Sequence, residues 1–595
     1  MTRLIVTLIL FLILAGVPLT FYHHADSSTT SFPVALQAAG RGKPYLNMQD
    51  GRLMRVDYRG DNALVAALRE GTAQSRALAY ADLDGDAAPD LVAGYANGRS
   101  GIVTIQRGNP EGFAPKDDSV FARMQNGYNP DSLLPMVETY QVSEPVDFLH
   151  VKDFNKDGRI DVLIGSRDGS LHLLAGDGAG RLGSEIQLHL SGKVTALTAG
   201  EFRAADGQID VAVAILGPRG PEVLVVDGAE DDFESTPYRF PLRSRAAALE
   251  FGELDSDPFM DLAIATGTEI QIVHGWGRKT SVNPELQVER IPLGYTPQGL
   301  AIDNFTWDRN GTREIAVLVE DSSVRLLEHS RSDKRPLNES ELMTRAASRG
   351  RVTNRNSDVE AFEGWSRATG NWREVNNLAL NAHAGANVAT QPQLTHGKIS
   401  SGETNALMVM NAAQRRLEVV HQVSAHEASL SFAGLKQGDL STVSLDATGT
   451  PVAMIVLPRK LNGVRDLVML EAERVTPISV PMEPTAVFAV NTTSDHAPDG
   501  ACNASPDCTF REAVIAANAS VGPDTINLPA GTYTLTIIGN TNNMGAGEGF
   551  TGNPAIGDVD FRDANGDATT VSGAGSGTTF IVQSTANDRT LEPNP

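Results

Sequence analysis

Cysteine is nearly absent: the 595-residue chain has two, Cys502 and Cys508. Two sulfurs with no neighbouring His or further Cys make a poor zinc site. Lying close together in an exported segment, they are expected to form a local disulfide. Basic residues are also scarce, with 49 Lys and Arg against 73 Asp and Glu and a formal net charge of −24. Such a chain, lacking any basic patch interleaved with aromatics, is a poor partner for a phosphate backbone, so nucleic acid is not an expected ligand. The 12 histidines are scattered, and HExxH, GxSxG and P-loop motifs are all missing. No second hydrophobic run of spanning length follows the N-terminus. There, Arg3 precedes an apolar stretch from Leu4 to Phe21, interrupted by threonines, Gly16 and Pro18. Its character is that of a secretory h-region, and its length is near a bilayer span. Residues 1–39 are therefore read as a signal peptide or N-terminal anchor, with Ala35–Ala39 as a late small-residue cleavage site. Contact with a membrane is expected only through this segment if it stays uncleaved. The body is expected to be secreted or at the cell surface.

What is abundant is acid, and it is patterned. Asp82-Leu-Asp84-Gly-Asp86-Ala-Ala-Pro-Asp90 runs into Leu-Val-Ala-Gly-Tyr, and Asp153-Phe-Asn155-Lys-Asp157-Gly-Arg-Ile-Asp161 runs into Val-Leu-Ile-Gly-Ser. Oxygen side chains at positions 1, 3, 5 and 9 of a tight loop converge on one point. Without a cation those carboxylates would repel one another, and Ca²⁺ suits a flexible all-oxygen loop. An EF-hand needs a bidentate Glu at position 12 and flanking helices, whereas Ala93 and Ile164 stand there within apolar, strand-like runs. A solvated acidic turn is the plain alternative, since Asp, Asn and Gly favour turns; two matches at four oxygen positions favour the ion.

Weaker copies follow. Glu253-Leu-Asp255-Ser-Asp257-Pro-Phe-Met-Asp261 keeps the oxygen positions and leads into Leu-Ala-Ile-Ala-Thr. The segments from Glu201 to Asp210 and from Asp303 to Glu314 keep the ends, and Gly397–Met410 and Val443–Val456 read as decayed units. The copies recur about every fifty residues, after a longer first gap that holds a polar insertion around Asn109–Leu134. Each has an apolar strand entering the loop, a second leaving it, then a third and fourth across glycine turns. Four short strands per repeat is the blade of a β-propeller, and blades must stack around an axis to bury both faces. Counted this way there are seven. Arg52–Tyr58 alternates like a strand and is expected to complete the last blade, closing the ring.

The pattern Asp-[Phe/Leu]-[Asp/Asn]-x-Asp-Gly-x-x-Asp, followed by small and apolar residues, resembles the FG-GAP or VCBS-type repeat, which builds the seven-bladed head of integrin α-subunits and many bacterial surface proteins. The resemblance covers about residues 45–480. It implies Ca²⁺ held by Asp82, Asp84, Asp86 and Asp90, and by Asp153, Asn155, Asp157 and Asp161, with the carbonyls of Ala88 and Arg159 added. Asp255, Asp257 and Asp261 form a third site, departing from the pattern at Pro258; Ala87 is a milder departure, at a position where the family has Gly. The loops at Glu201 and Asp303 are expected to hold no ion.

From about Thr485 the character changes. Thr509 and Glu512 have capping-box spacing, and Phe510, Ala513, Val514 and Ala517 share one helical face before Gly522-Pro523. Cys508-Thr-Phe-Arg-Glu-Ala513, with Leu528-Pro-Ala-Gly-Thr-Tyr533, Gly557–Phe561 and Val571–Ile581, resembles the CSLREA domain. That resemblance spans about 486–583 and implies a helix capping the start of a right-handed parallel β-helix. Residues 486–595 would hold few coils, so the sequence reads either as a fragment or as a stub that docks elsewhere.

Gly178-Ala-Gly-Arg-Leu-Gly183 matches GxGxxG, but the alternating Ser184–Leu190 after it is a strand pattern where the dinucleotide fingerprint needs a helix, so it reads as a turn. His150 and His172 read as packed or surface residues. The expectation is thus an all-β, seven-bladed propeller with a short helix-capped module of parallel β-helix type. The expected role is surface binding or adhesion to an extracellular protein or glycan. An extracellular glycosidase or polysaccharide lyase is the alternative, because propellers and β-helices carry such activities.

Overall fold

The computed structural model describes most residues from 51 to 481, apart from 330–371, 379–392, 424–438 and shorter loops, together with 34–38, 487–496, 507–513 and four strands between 524 and 582. The N-terminal apolar stretch lies outside these. Among the described residues no helix is long and apolar enough to cross a membrane.

Strands that are apolar on both sides must be covered on both faces. Asp161–Ser166, Asp261–Thr266 and Glu314–Val319 are buried at every position, and each is the second strand of an antiparallel sheet of four. Blade one comprises Gln74–Ala81, Asp90–Asn97, Ser100–Gly108 and Leu133–Val142. Blade two comprises Phe148–Lys152, Asp161–Ser166, Ser170–Gly176 and Leu182–His189. Blades three, four and five begin at Lys193–Gly200, Ala246–Gly252 and Pro297–Asp303. Blades six and seven begin at Gln393–Gly397 and Pro451–Pro458. Seven apolar clusters hold the blades together, one at each interface. The cluster of Leu78 and Leu91 with Leu457 and Val468 joins blade seven to blade one and closes the ring. The chain is therefore a seven-bladed β-propeller.

The closure differs from the expectation for Arg52–Tyr58. Gly51–Leu53 pairs with Arg474–Pro481 and supplies blade seven's fourth strand. Asp57–Arg59 instead joins blade one, parallel to Leu133–Val142. Val34–Ala38 bridges Leu440–Ala447 of blade six and Gly51–Leu53, so the sheets of the last two blades are continuous. The seventh unit placed at Val443–Val456 is also corrected. It straddles Leu440–Ala447, the outer strand of blade six, and Pro451–Pro458, the inner strand of blade seven. The turn between them connects two blades. A helix at Asn62–Arg69, capped by Asp61 through Ala63 N–H at 2.7 Å, packs Leu64, Ala67 and Leu68 inward.

Beyond the propeller, Val487–Ala489, Asp524–Leu528 and Thr569–Gly573 pair in parallel, as do Gly531–Leu535 and Thr578–Val582. The Thr509–Glu512 capping box forms, with Glu512 N–H donating to Thr509 Oγ1 at 3.1 Å and Thr509 N–H to Glu512 Oε2 at 2.9 Å. Arg511 is buried against Asp495 at 2.8 Å.

Candidate metal centre

The acidic loops join first to second strand in blades one to five, so they open on one face of the ring. The acid that opens the second strand has a shared role. Asp90 Oδ2 accepts Leu83 N–H at 2.9 Å, and its Oδ1 accepts Gly108 N–H at 2.7 Å. Asp161 does the same with Phe154 and Gly176, Asp210 with Phe202 and Gly228, and Asp261 with Leu254 and Gly275. Glu314 accepts from Phe305 N–H at 2.7 Å. The four aspartates staple loop start to third-strand end. The glycines are required there: a Cβ on Gly176 would stand 2.0 Å from Ile160 O, and one on Gly275 2.4 Å from Met260 O. Burial raises the Asp90 carboxyl to about 6 and also pushes Asp161 upward.

In the first loop Asp82, Asp84 and Asp86 converge, each offering an oxygen within 4.8 Å of the others. Asp82 accepts the N–H groups of Gly85, Asp86 and Ala87, which curls the loop around it. Burial, and then the charges of Asp84 and Asp82, hold the Asp86 carboxyl above its ordinary value. Asp90 completes the loop as the staple. One cation is already present, because the Arg107 guanidinium sits 2.6 Å from Asp84 Oδ2 and donates to Ala179 O of blade two at 2.6 Å.

In the second loop Asp153 Oδ2 accepts Gly158 N–H, Asn155 Oδ1 accepts Asp157 N–H, and Asp157 Oδ1 accepts Arg159 N–H. The other Asp153 oxygen, Oδ1, is buried with no hydrogen-bond partner. An ionised oxygen in that position is costly unless a cation meets it. Both loops bend through left-handed backbone at positions 4 and 6, at Gly85 (φ 74°) and Ala87 (φ 76°), and at Lys156 (φ 63°) and Gly158 (φ 82°). The donor sets of both loops fit a hard, oxygen-seeking ion.

The third loop is different. Asp255 and Asp261 are joined by His274, whose Nδ1 stands 3.4 Å from Asp255 Oδ2 and 3.0 Å from Asp261 Oδ1. Its Nε2 faces Glu289 at 3.3 Å. Burial alone would lower this imidazole, but bonding to Asp255, Asp261 and Glu289 outweighs it and holds it up at about 11. Asp257 lies outside the described residues, as does Cys502. Cys508 is disulfide-bonded.

Sequence reasoning missed Arg107 and His274, which occupy one structural position, just before the stapled glycine of the third strand. Blade two has Ala175 there. The signal was the residue preceding Gly108, Gly176 and Gly275. Also missed was a polar cluster on blade two that holds the linker from blade one at Ser143 and Glu144. Ser170 Oγ lies 2.7 Å from His172 Nε2, and His172 Nδ1 lies 2.5 Å from Glu185 Oε1. This has the connectivity of a nucleophilic triad. Ser170 is 1% exposed and His172 0%, and Ser170 also bonds Glu144, so the hydroxyl is closed to a substrate. The GxGxxG stretch is a turn before Leu182–His189, with Gly178 and Gly180 at positive φ.

No family model and no curated protein sequence matches the chain. Solved structures with similar backbones include BBS1N in complex with ARL6DN, soaked with lead, at 9% identity and TM-score 0.37, covering 69% of this chain and 93% of that one. Another is the Chaetomium thermophilum polycomb repressive complex 2, at 9% identity and TM-score 0.41, covering 73% and 98%.

Proposed function

We propose that the protein is an exported propeller of the FG-GAP/VCBS type whose loops at Asp82–Asp90 and Asp153–Asp161 hold Ca²⁺, and that it binds an extracellular protein or glycan at the cell surface. The buried, partnerless Asp153 Oδ1 carries the metal part of this reading. Ca²⁺ acts here as a stiffener of the loop face and does no chemistry. The tail is read as a CSLREA-type start of a parallel β-helix; parallel pairing of Val487–Ala489 with Asp524–Leu528 and the Thr509–Glu512 box support this. An ion that binds only folded loops stabilises by mass action, by about 2.7 kcal/mol at a hundredfold excess over Kd. Excess EDTA is expected to lower the Tm, and added Ca²⁺ to restore it. An unchanged melt, with no calcium by elemental analysis, refutes the reading.

One observation favours the enzymatic alternative. Burial raises Glu250, on the inner strand of blade four, to about 7, while nearby Asp303 is held at about 2. Carboxylates driven apart in this way suit acid and base roles. Turnover of a polysaccharide panel, abolished by E250Q, would establish it; no new reducing ends or unsaturated products would remove it.

A further inference from the structure

Blade four brings an imidazole nitrogen to a position where blade one has the Arg107 guanidinium and blade two has Ala175. Asp261 and Asp255 are 0% and 1% exposed and His274 is 4% exposed, and one ligand atom from each falls within 4.8 Å of the others. We propose that Asp255, Asp261 and His274 form a site for a borderline divalent ion of the Zn²⁺ class, different in ion type from the calcium loops.

Three features carry this. Donors about 2.0–2.2 Å from a tetrahedral ion stand roughly 3.3–3.5 Å apart, and His274 Nδ1 lies 3.4 Å from Asp255 Oδ2 and 3.0 Å from Asp261 Oδ1. A small adjustment admits the ion. Second, a ligating imidazole characteristically donates its other N–H to a carboxylate, which fixes its tautomer; Glu289 Oε2 is placed for this, 3.3 Å from Nε2. Third, imidazole suits Zn²⁺ and its neighbours, whereas Ca²⁺ takes oxygen. A doubly charged ion also answers the negative charge of Asp255, Asp261 and Glu289, which all face one imidazole.

The test uses the full chain, stripped with EDTA and titrated with Co²⁺ as a spectroscopic probe. One equivalent is expected to develop visible d–d absorption, to be displaced by Zn²⁺ and to survive millimolar Ca²⁺. H274Q is expected to abolish this signal, and E289Q, altering a positioning residue, to weaken affinity about 10- to 100-fold. The triple variant D82N/D84N/D86N is expected to keep it. Absence of Co²⁺ binding, equal binding by H274Q, or displacement by Ca²⁺ would overturn the proposal. If H274Q fails to fold by circular dichroism, E289Q decides, and unchanged affinity there overturns it. The inference stands apart from the calcium reading: loss of Ca²⁺ binding alone leaves it intact.

Discussion

At the scale of single residues, the acid opening the second strand serves the fold before it serves any ion. Asp210 shows this best, since its loop has lost the middle oxygens yet keeps both staple bonds, at 2.8 and 2.9 Å. Replacing it by alanine removes the acceptor of two backbone N–H groups. D210A is expected to cost about 2–4 kcal/mol, with a lower urea midpoint by the same amount with or without Ca²⁺. A calcium-dependent loss would mean that Asp210 is a ligand instead. Arg107 acts in the opposite sense, because its guanidinium occupies the Asp84 oxygen that Ca²⁺ would take. R107Q is expected to tighten Ca²⁺ binding at the first loop, read by calorimetry in a D153N/D157N background. Unchanged or weaker affinity would show that the guanidinium swings clear of the ion. The carboxylate pattern was plain in the chain. Arg107 and His274 were hidden because they reach the loops from a third strand, 17 and 13 positions beyond the stapled acids Asp90 and Asp261.

At the scale of elements, the blade rhythm was readable where an acid ends the loop and an apolar strand follows. Blades one to five all begin their second strands at such an acid, Asp90, Asp161, Asp210, Asp261 and Glu314. The last blade was misphased because a Gly-containing turn at 448–450 imitates the loop but joins two blades. Asn62–Arg69 escaped notice although Asp61 followed by good helix formers is a start signal. Between blades five and six, Asp303 bonds His396 at 2.7 Å, Asn405 at 2.6 Å and Arg313 at 2.7 Å. Burial would raise its carboxyl, but the bond and charge of His396 lower it to about 2. Because the folded value lies below the unfolded one, the stabilisation is complete above about pH 4 and is lost as pH falls toward 2. It amounts to about 2 kcal/mol. The stability advantage of wild type over D303N is therefore expected to shrink by that much between pH 5 and pH 2. A constant advantage would contradict the clasp.

At the scale of the whole molecule, the ring is shut by strands drawn from opposite ends of the propeller sequence. Gly51–Leu53 lies on Arg474–Pro481, with Arg52 opposite Ser479 and Leu53 opposite Ile478. Val34–Ala38 extends the joint, with Leu36 opposite both Ala447 and Gly51. The first strand of each blade ends its sheet and keeps a short inner edge, and closure by a remote strand couples the end blades into one unfolding unit. This bears on where an export signal can be removed. Processing at Ala39 would delete Val34–Ala38 and expose an edge of Leu440–Ala447. On the proposed export route, the mature chain is therefore expected to begin upstream of Val34, as read by N-terminal mass spectrometry. A mature chain starting after Ala39, with a Tm equal to that of a chain retaining the strand, would show that the ring closes on Gly51–Leu53 alone.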